Sequence, residues 1–126
     1  MKLFFTLALA LLLSVNQDDP IVLGGDWEGS IFVNNQGKTT ELPLVLKLRV
    51  DKERNIKATL DSPSQGELNI KFDEVSYENN VLKLVMNQYG ATFQGQLVKR
   101  QLVGTWNQSG QNFELKFTKI LRSGKS

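Results

Sequence analysis

The sequence predicts an all-β fold, a single antiparallel up-and-down β-barrel of about eight to ten strands. Three observations predict it. Leu42, Leu44, Leu46, Leu48 and Val50 alternate without a break with Pro43, Val45, Lys47 and Arg49. A strand gathers the five apolar residues on one face, whereas a helix would scatter them in steps of about 200°. Turn residues recur at short intervals, as in Asn34-Asn35-Gln36-Gly37, Asp51-Lys52-Glu53-Arg54-Asn55, Ser62-Pro63-Ser64-Gln65-Gly66 and Glu78-Asn79-Asn80. A Trp-centred strand, Gly25-Asp26-Trp27-Glu28-Gly29-Ser30, opens the alternating region, and another, Gly104-Thr105-Trp106-Asn107-Gln108-Ser109-Gly110, nearly closes it. The first and last strands are therefore expected to meet.

The elements follow in order. Lys2 and the apolar run Leu3 to Leu13, broken only by Thr6, predict a cleaved secretory signal peptide over residues 1–16. The run is shorter than the roughly 20 apolar residues of a membrane span. A cut after Asn16 leaves 110 residues, enough for one domain with a real core. That barrel domain is expected over residues 17–121, followed by a polar, frayed tail at 122–126. Within it, Trp27, Gly29, Ile31 and Val33 alternate with Glu28, Ser30 and Phe32. Pro43 cannot donate a ladder hydrogen bond and marks a strand start or a bulge. Ile56, Ala58 and Leu60 continue the alternation, then Leu68, Ile70 and Phe72. Val75 and Tyr77 fall out of step with these by one residue, which predicts a bulge or bend at Asp73-Glu74. Leu82, Leu84 and Met86 come next, then Ala91, Phe93, Gly95 and Leu97, then Leu102, Gly104 and Trp106, and last Phe113, Leu115 and Phe117. Short, even hairpins favour a meander, and a meander with one apolar face must curl to bury it.

Composition excludes much chemistry. After the leader the chain carries 14 Lys+Arg against 13 Asp+Glu, interspersed, with no basic cluster for nucleic acid. No membrane span is expected in the mature chain. There is no Cys and no His, so disulfides, a Ser-His-Asp triad and the commonest transition-metal ligand are all excluded. Ser30, Ser62, Ser64, Ser76 and Ser109 fall at turns or on polar strand faces, where hydroxyls serve loop hydrogen bonds. Asp73 and Glu74 are adjacent and point to opposite faces of a strand, unlike the facing carboxylates of a glycosidase. Asp61 and Glu74 are the carboxylates an enzymatic reading would rest on. Asp51, Glu53 and Asn55 alternate like calcium ligands, but no Gly or terminal Glu completes a loop. No enzyme, metal or cofactor is expected.

Gly25-Asp26-Trp27 resembles the Gly-x-Trp signature that opens lipocalins, in which the Trp plugs one end of an antiparallel barrel. In length the chain is closer to intracellular fatty-acid-binding barrels, without their helical lid. A wider likeness runs through Gly25-Asp26-Trp27-Glu28-Gly29, Leu42-Pro43-Leu44-Val45-Leu46, Ala58-Thr59-Leu60-Asp61-Ser62-Pro63-Ser64-Gln65-Gly66 and Leu102-Val103-Gly104-Thr105-Trp106-Asn107-Gln108. These segments resemble a small exported bacterial β-domain that precedes secreted α/β-hydrolases of the peptidase or esterase type. The resemblance implies a lipocalin-like barrel with no catalytic role of its own, and no Gly-x-Ser-x-Gly elbow follows it here.

The functional expectation is a periplasmic or secreted, non-catalytic barrel that binds a small apolar or amphipathic ligand in its lumen. Leu46, Leu48, Leu60, Phe72, Tyr77, Leu84, Met86, Phe93, Phe113 and Leu115 are the expected lumen residues, with Phe117 beside them. Arg49, Tyr77, Tyr89 and Gln94 are the expected polar contacts at a mouth, and Trp27 and Trp106 the expected closure plugs. The alternative is a packed accessory domain that docks on a secreted hydrolase or another envelope protein. Phe32, Val45 and Val103, which point away from the predicted core, would form its docking face.

Overall fold

Period-2 alternation decides the architecture, because each strand has one face that must leave water. The computed structural model describes residues 19–121. In it nine antiparallel strands form one curled sheet: β1 (Gly25–Asn35), β2 (Lys38–Val50), β3 (Ile56–Ser62), β4 (Glu67–Lys71), β5 (Glu74–Glu78), β6 (Val81–Met86), β7 (Ala91–Val98), β8 (Gln101–Gln108) and β9 (Gln111–Lys119). The predicted leader over 1–16 and the tail at 122–126 lie outside the described residues. Among the described residues no helix is long and apolar enough to cross a membrane.

The strand order β4-β3-β2-β1-β9-β8-β7-β6-β5 brings the first strand beside the last, as the paired Trp motifs predict. Trp27 pairs with Lys119 and Glu28 with Thr118, and the Ile120 N–H donates to the Asp26 carbonyl at 2.8 Å. The β1–β9 ladder ends there. Gly29 permits the contact, since a Cβ on it would collide with the Lys116 carbonyl. Trp106 lies one strand inward, on β8.

The two edge strands, β4 and β5, are consecutive in the chain and do not pair with each other. The bend predicted at Asp73-Glu74 falls at Phe72-Asp73. The Phe72 N–H still donates to Ala58 of β3 at 3.1 Å, while the next N–H, that of Asp73, donates to Val85 of β6 at 2.7 Å. The Asp73 carboxylate also accepts the Asn87 N–H at 2.7 Å. Residues 67–78 therefore act as one kinked strand whose first half borders β3 and whose second half borders β6. Pro43 does not start a strand. β2 begins at Lys38, and Pro43 pairs with Ser30 of β1 beyond the end of the β2–β3 ladder, which begins at Val45–Asp61. Its missing donor is tolerated where one side of the strand has no partner.

One end of the barrel is stoppered. A 3-10 turn, Pro20–Leu23, folds across it, capped by Asp19, whose carboxylate accepts the Ile21 N–H at 3.1 Å. That hydrogen bond, joined by Arg54 and opposed by partial desolvation, holds the Asp19 carboxyl below its ordinary 3.8. Leu23 is fully buried, and the Trp27 indole N–H donates to its carbonyl at 2.9 Å. The Lys119 ammonium lies 5.7 Å from the Trp27 ring centre and donates to the Val22 carbonyl at 3.1 Å. Above this stopper the lumen is filled by Leu46, Leu48, Leu82, Leu84, Leu102, Phe93 and Phe117. The two Phe rings meet edge to face at 5.3 Å.

That packing needs β7 and β8 to cross closely, and Gly95 pairs directly with Gly104. A Cβ on Gly104 would strike the Gln94 carbonyl and lie 2.5 Å from the Gly95 Cα, both backbone atoms that cannot swing away. Gly104→Ala is expected to cost about 1–3 kcal/mol, the range for overpacking. Urea unfolding of the two proteins measures it.

Candidate functional site

The end opposite the stopper is built from four turns: Gln36-Gly37, Pro63–Gln65, Asn87–Tyr89 and Ser109-Gly110. Gly66 and Gly90 end the two 3-10 turns in the left-handed region, with φ of 70° and 58°. Among the described residues no segment folds across this end. The wall there is also incomplete, for two reasons. The bend at Phe72-Asp73 has not yet brought the chain to β6, so β4 leaves a gap beside the β6–β7 turn. On the other side, β1 and β9 have stopped pairing.

The result is an open cavity of about 330 Å³. Ile31, Leu42, Leu44, Leu60, Ile70, Met86 and Trp106 form its apolar walls, and Ser62, Gln65, Glu67, Tyr89 and Gln108 its polar rim. A second hollow of about 320 Å³ shares Ile31, Leu42, Trp106 and Gln108 with it and adds Val33, Ser109, Gln111 and Phe113. Trp106 thus stands between the two. Phe72 meets its ring edge to face at 6.3 Å, and its indole N–H donates to Gln108 Oε1 at 3.0 Å. An indole nitrogen can only donate, so Gln108 must turn its oxygen to the ring and its amide NH₂ away. The Ser62 hydroxyl makes a similar 2.6 Å bond to Gln65 Oε1. Apolar walls with a few placed polar groups, at this volume, are the usual make-up of a small-molecule site.

The ten expected lumen residues divide along the barrel axis. Leu46, Leu48, Leu84, Phe93 and Leu115 are buried in the filled part. Leu60 and Met86 line the cavity, Phe113 lines the adjoining hollow, and Phe72 supports Trp106. Tyr77 lies at the stoppered end, half-buried, with its hydroxyl 3.3 Å from Asn80 Oδ1. Of the four expected mouth contacts only Tyr89 lines the cavity. Arg49 is on the outer face near the stopper, paired with Asp26 at 2.9 Å, and Gln94 is exposed on the outer face of β7. Trp27 is a stopper, while Trp106 borders open space. Ile31, Leu42, Leu44 and Ile70 share the inward alternation of the expected set, but nothing in the alternation says how far along the axis a residue lies. Glu67, Gln65 and Gln108 join the site only because turns place them there.

Asp61, one of the two carboxylates an enzymatic reading would rest on, has structural partners. Its side chain is 2.9 Å from the Lys47 ammonium and accepts the Asn69 N–H at 2.7 Å, and Lys47 also reaches Asn69 Oδ1 at 3.2 Å. This cluster fixes the irregular β3–β4 pairing, where the register shifts between Leu60 and Ser62 and Asn69 takes a φ of 57°. Glu74 is exposed on β5. Asp51 accepts the Asn55 N–H at 2.8 Å and closes its own hairpin. Among the described residues no group of three or more acidic side chains is placed to hold a metal ion. The sequence matches no protein-family model, and no curated protein and no solved structure matches it.

Desolvation raises the Asp61 pKa, but the Asn69 N–H and the Lys47 ammonium outweigh it, even with Asp26 adding repulsion, and hold the carboxyl below its ordinary 3.8. A depressed folded-state pKa contributes stability above the unfolded value, and this is lost as pH falls below 3.8 through the folded value. Asp61→Asn is therefore expected to lower stability at neutral pH and to make the loss on acidification shallower. Urea midpoints of both proteins between pH 7 and pH 2.5 check the sign.

Proposed function

We propose that the chain is an exported, non-catalytic barrel that holds a small apolar or amphipathic molecule at its open mouth. The observation that carries this reading is the asymmetry of the lumen. One end is stoppered and the middle is filled, yet the other end keeps an apolar cavity walled by Trp106, Leu44, Leu60 and Met86. Empty apolar space costs stability, and a bound molecule that covers these walls would offset that cost. The ligand belongs at the mouth rather than along the whole lumen.

The test is a titration with a polarity-sensitive dye, together with extraction of the purified protein for co-purified lipid. Leu42 is half-buried on the wall common to both hollows, so Leu42→Trp adds bulk where the ligand would lie. Dye binding should fall by about tenfold or more in Leu42→Trp, for a loss of one well-placed apolar contact surface, while circular dichroism stays that of a β-barrel. A wild-type protein that takes up no dye and yields no extract would end this reading.

A second reading has support on the outer surface. Phe32 and Val103, 60% and 44% exposed, line one shallow groove over β1, β9 and β8 with Ser30, Thr105, Glu114 and Lys116. Val45, expected with them, is half-buried on β2. An exposed Phe beside an exposed Val supports docking on a secreted hydrolase or another envelope protein. A photo-crosslinking residue in place of Phe32 should then capture one discrete envelope protein from the periplasmic fraction, and Phe32→Ser should abolish its co-purification. Crosslinks to no protein would count against docking.

A further inference from the structure

The two ends of the barrel differ in chemistry as well as in closure. The turns at the stoppered end carry Asp51, Lys52, Glu53, Arg54, Glu78, Lys99 and Arg100. The four turns at the mouth, over residues 34–38, 62–67, 87–90 and 107–112, are almost wholly Asn, Gln, Ser and Gly, and their only charges are Lys38 and Glu67. Lys38 lines neither hollow, and Glu67 is the one charged residue on the cavity rim. Given the binding role proposed above, on which this inference rests, we infer that the mouth selects a single-chain amphiphile whose head group is uncharged and bears hydroxyls, such as an acylglycerol or an alkyl glycoside.

The reasoning is one of unmet partners. A carboxylate or phosphate head drawn to the edge of an apolar cavity needs a cation or several donors to replace its water. Here it would find no cation on either lining and would face the Glu67 carboxylate. An ammonium head could approach Glu67, but an exposed pair of that kind contributes little. It also brings no acceptor for the rim's donors. Those donors are the amide NH₂ groups of Gln65 and Gln108. Both amide oxygens are already taken, by the Ser62 hydroxyl and the Trp106 indole, and neither NH₂ has a protein partner among the described residues. The Tyr89 hydroxyl, also on the rim, both donates and accepts, and Glu67 accepts. A hydroxyl-bearing head offers oxygen acceptors to the two amides and O–H donors to Glu67 and Tyr89. It loses no charge solvation on entry, while the chain takes the space beside Trp106.

The experiment holds the chain constant and varies the head. Monodecanoylglycerol, decanoate and decylammonium are titrated into the full-length mature protein below their micellar concentrations at pH 7, following Trp emission and dye displacement. Monodecanoylglycerol should bind about tenfold tighter than either ion, the worth of one or two net hydrogen bonds. Decyl glucoside should fall with the glycerol ester. Glu67→Lys should shift the ratio several-fold toward decanoate. Equal binding of all three chains, or tighter binding of decanoate, overturns the head-group inference and leaves the cavity reading intact. Failure of all three to bind overturns the cavity reading itself. A ratio unmoved by Glu67→Lys overturns the role of the rim.

Discussion

Two adjacent backbone hydrogen bonds, from Phe72 to Ala58 and from Asp73 to Val85, carry the chain from one edge of this sheet to the other. A nine-stranded sheet with one apolar face cannot stay open in water, and consecutive hairpins alone leave it with two free edges. Here both edges belong to one stretch of chain. By bending at Phe72-Asp73, residues 67–71 pair with β3 and residues 74–78 with β6. Phe72 sets its ring against Trp106 at the same point, so the bend that bridges the two edges also supports a wall of the mouth. Asp73 reinforces it through the Asn87 N–H, which ties the bend to the 3-10 turn at the cavity edge.

The division of the barrel into a solid half and an open half follows from where the strands pair. Near the stopper, β1 and β9 are joined, Gly29 lets them touch, and the Phe93–Phe117 pair fills the lumen between them. Toward the mouth the same strands part, and β4 has no partner on its outer side. Unpaired strand groups are expensive only where water cannot reach them. An incomplete wall is therefore most easily tolerated at a mouth, where water reaches the strand ends.

Most of the wall is legible in the sequence. The run Leu42 to Val50 sets the face of β2, and the same alternation in β6, β7 and β9 identifies the buried side of each. The meeting of β1 and β9 and the bend near Asp73 follow from the two Trp motifs and from the slip in phase at Val75 and Tyr77. The site is less legible. Alternation reports which side a residue faces but not its height along the axis, so Leu46 and Leu60 look alike although one is sealed in the core and the other lines a cavity. Trp27 and Trp106 have similar local sequences and opposite fates. Only Trp27 has a preceding Pro20–Leu23 turn to cover it and an Nε1 partner in that turn. Pro43 misleads because its tolerance depends on where the neighbouring ladder stops, which is a property of β3 and not of β2.

The ion pairs that hold the cap and the amide-rich rim of the cavity lie at opposite ends of the barrel. Charged pairs such as Arg54–Asp19 and Arg49–Asp26 lie at the stoppered end, where they tie the 3-10 turn and the strand ends together. Exposed pairs of this kind add little each, and their main effect is to fix the geometry of the cap. Among the described residues the cavity lining has a single charge, Glu67, and no ion pair of its own. A charge beside the cavity would lose its water whenever the apolar walls were covered, whereas amides and hydroxyls exchange water for a partner at much smaller cost. An amide-rich rim above Leu, Ile, Met and Trp, with Glu67 its one charge, would thus keep the cost of covering these apolar walls low.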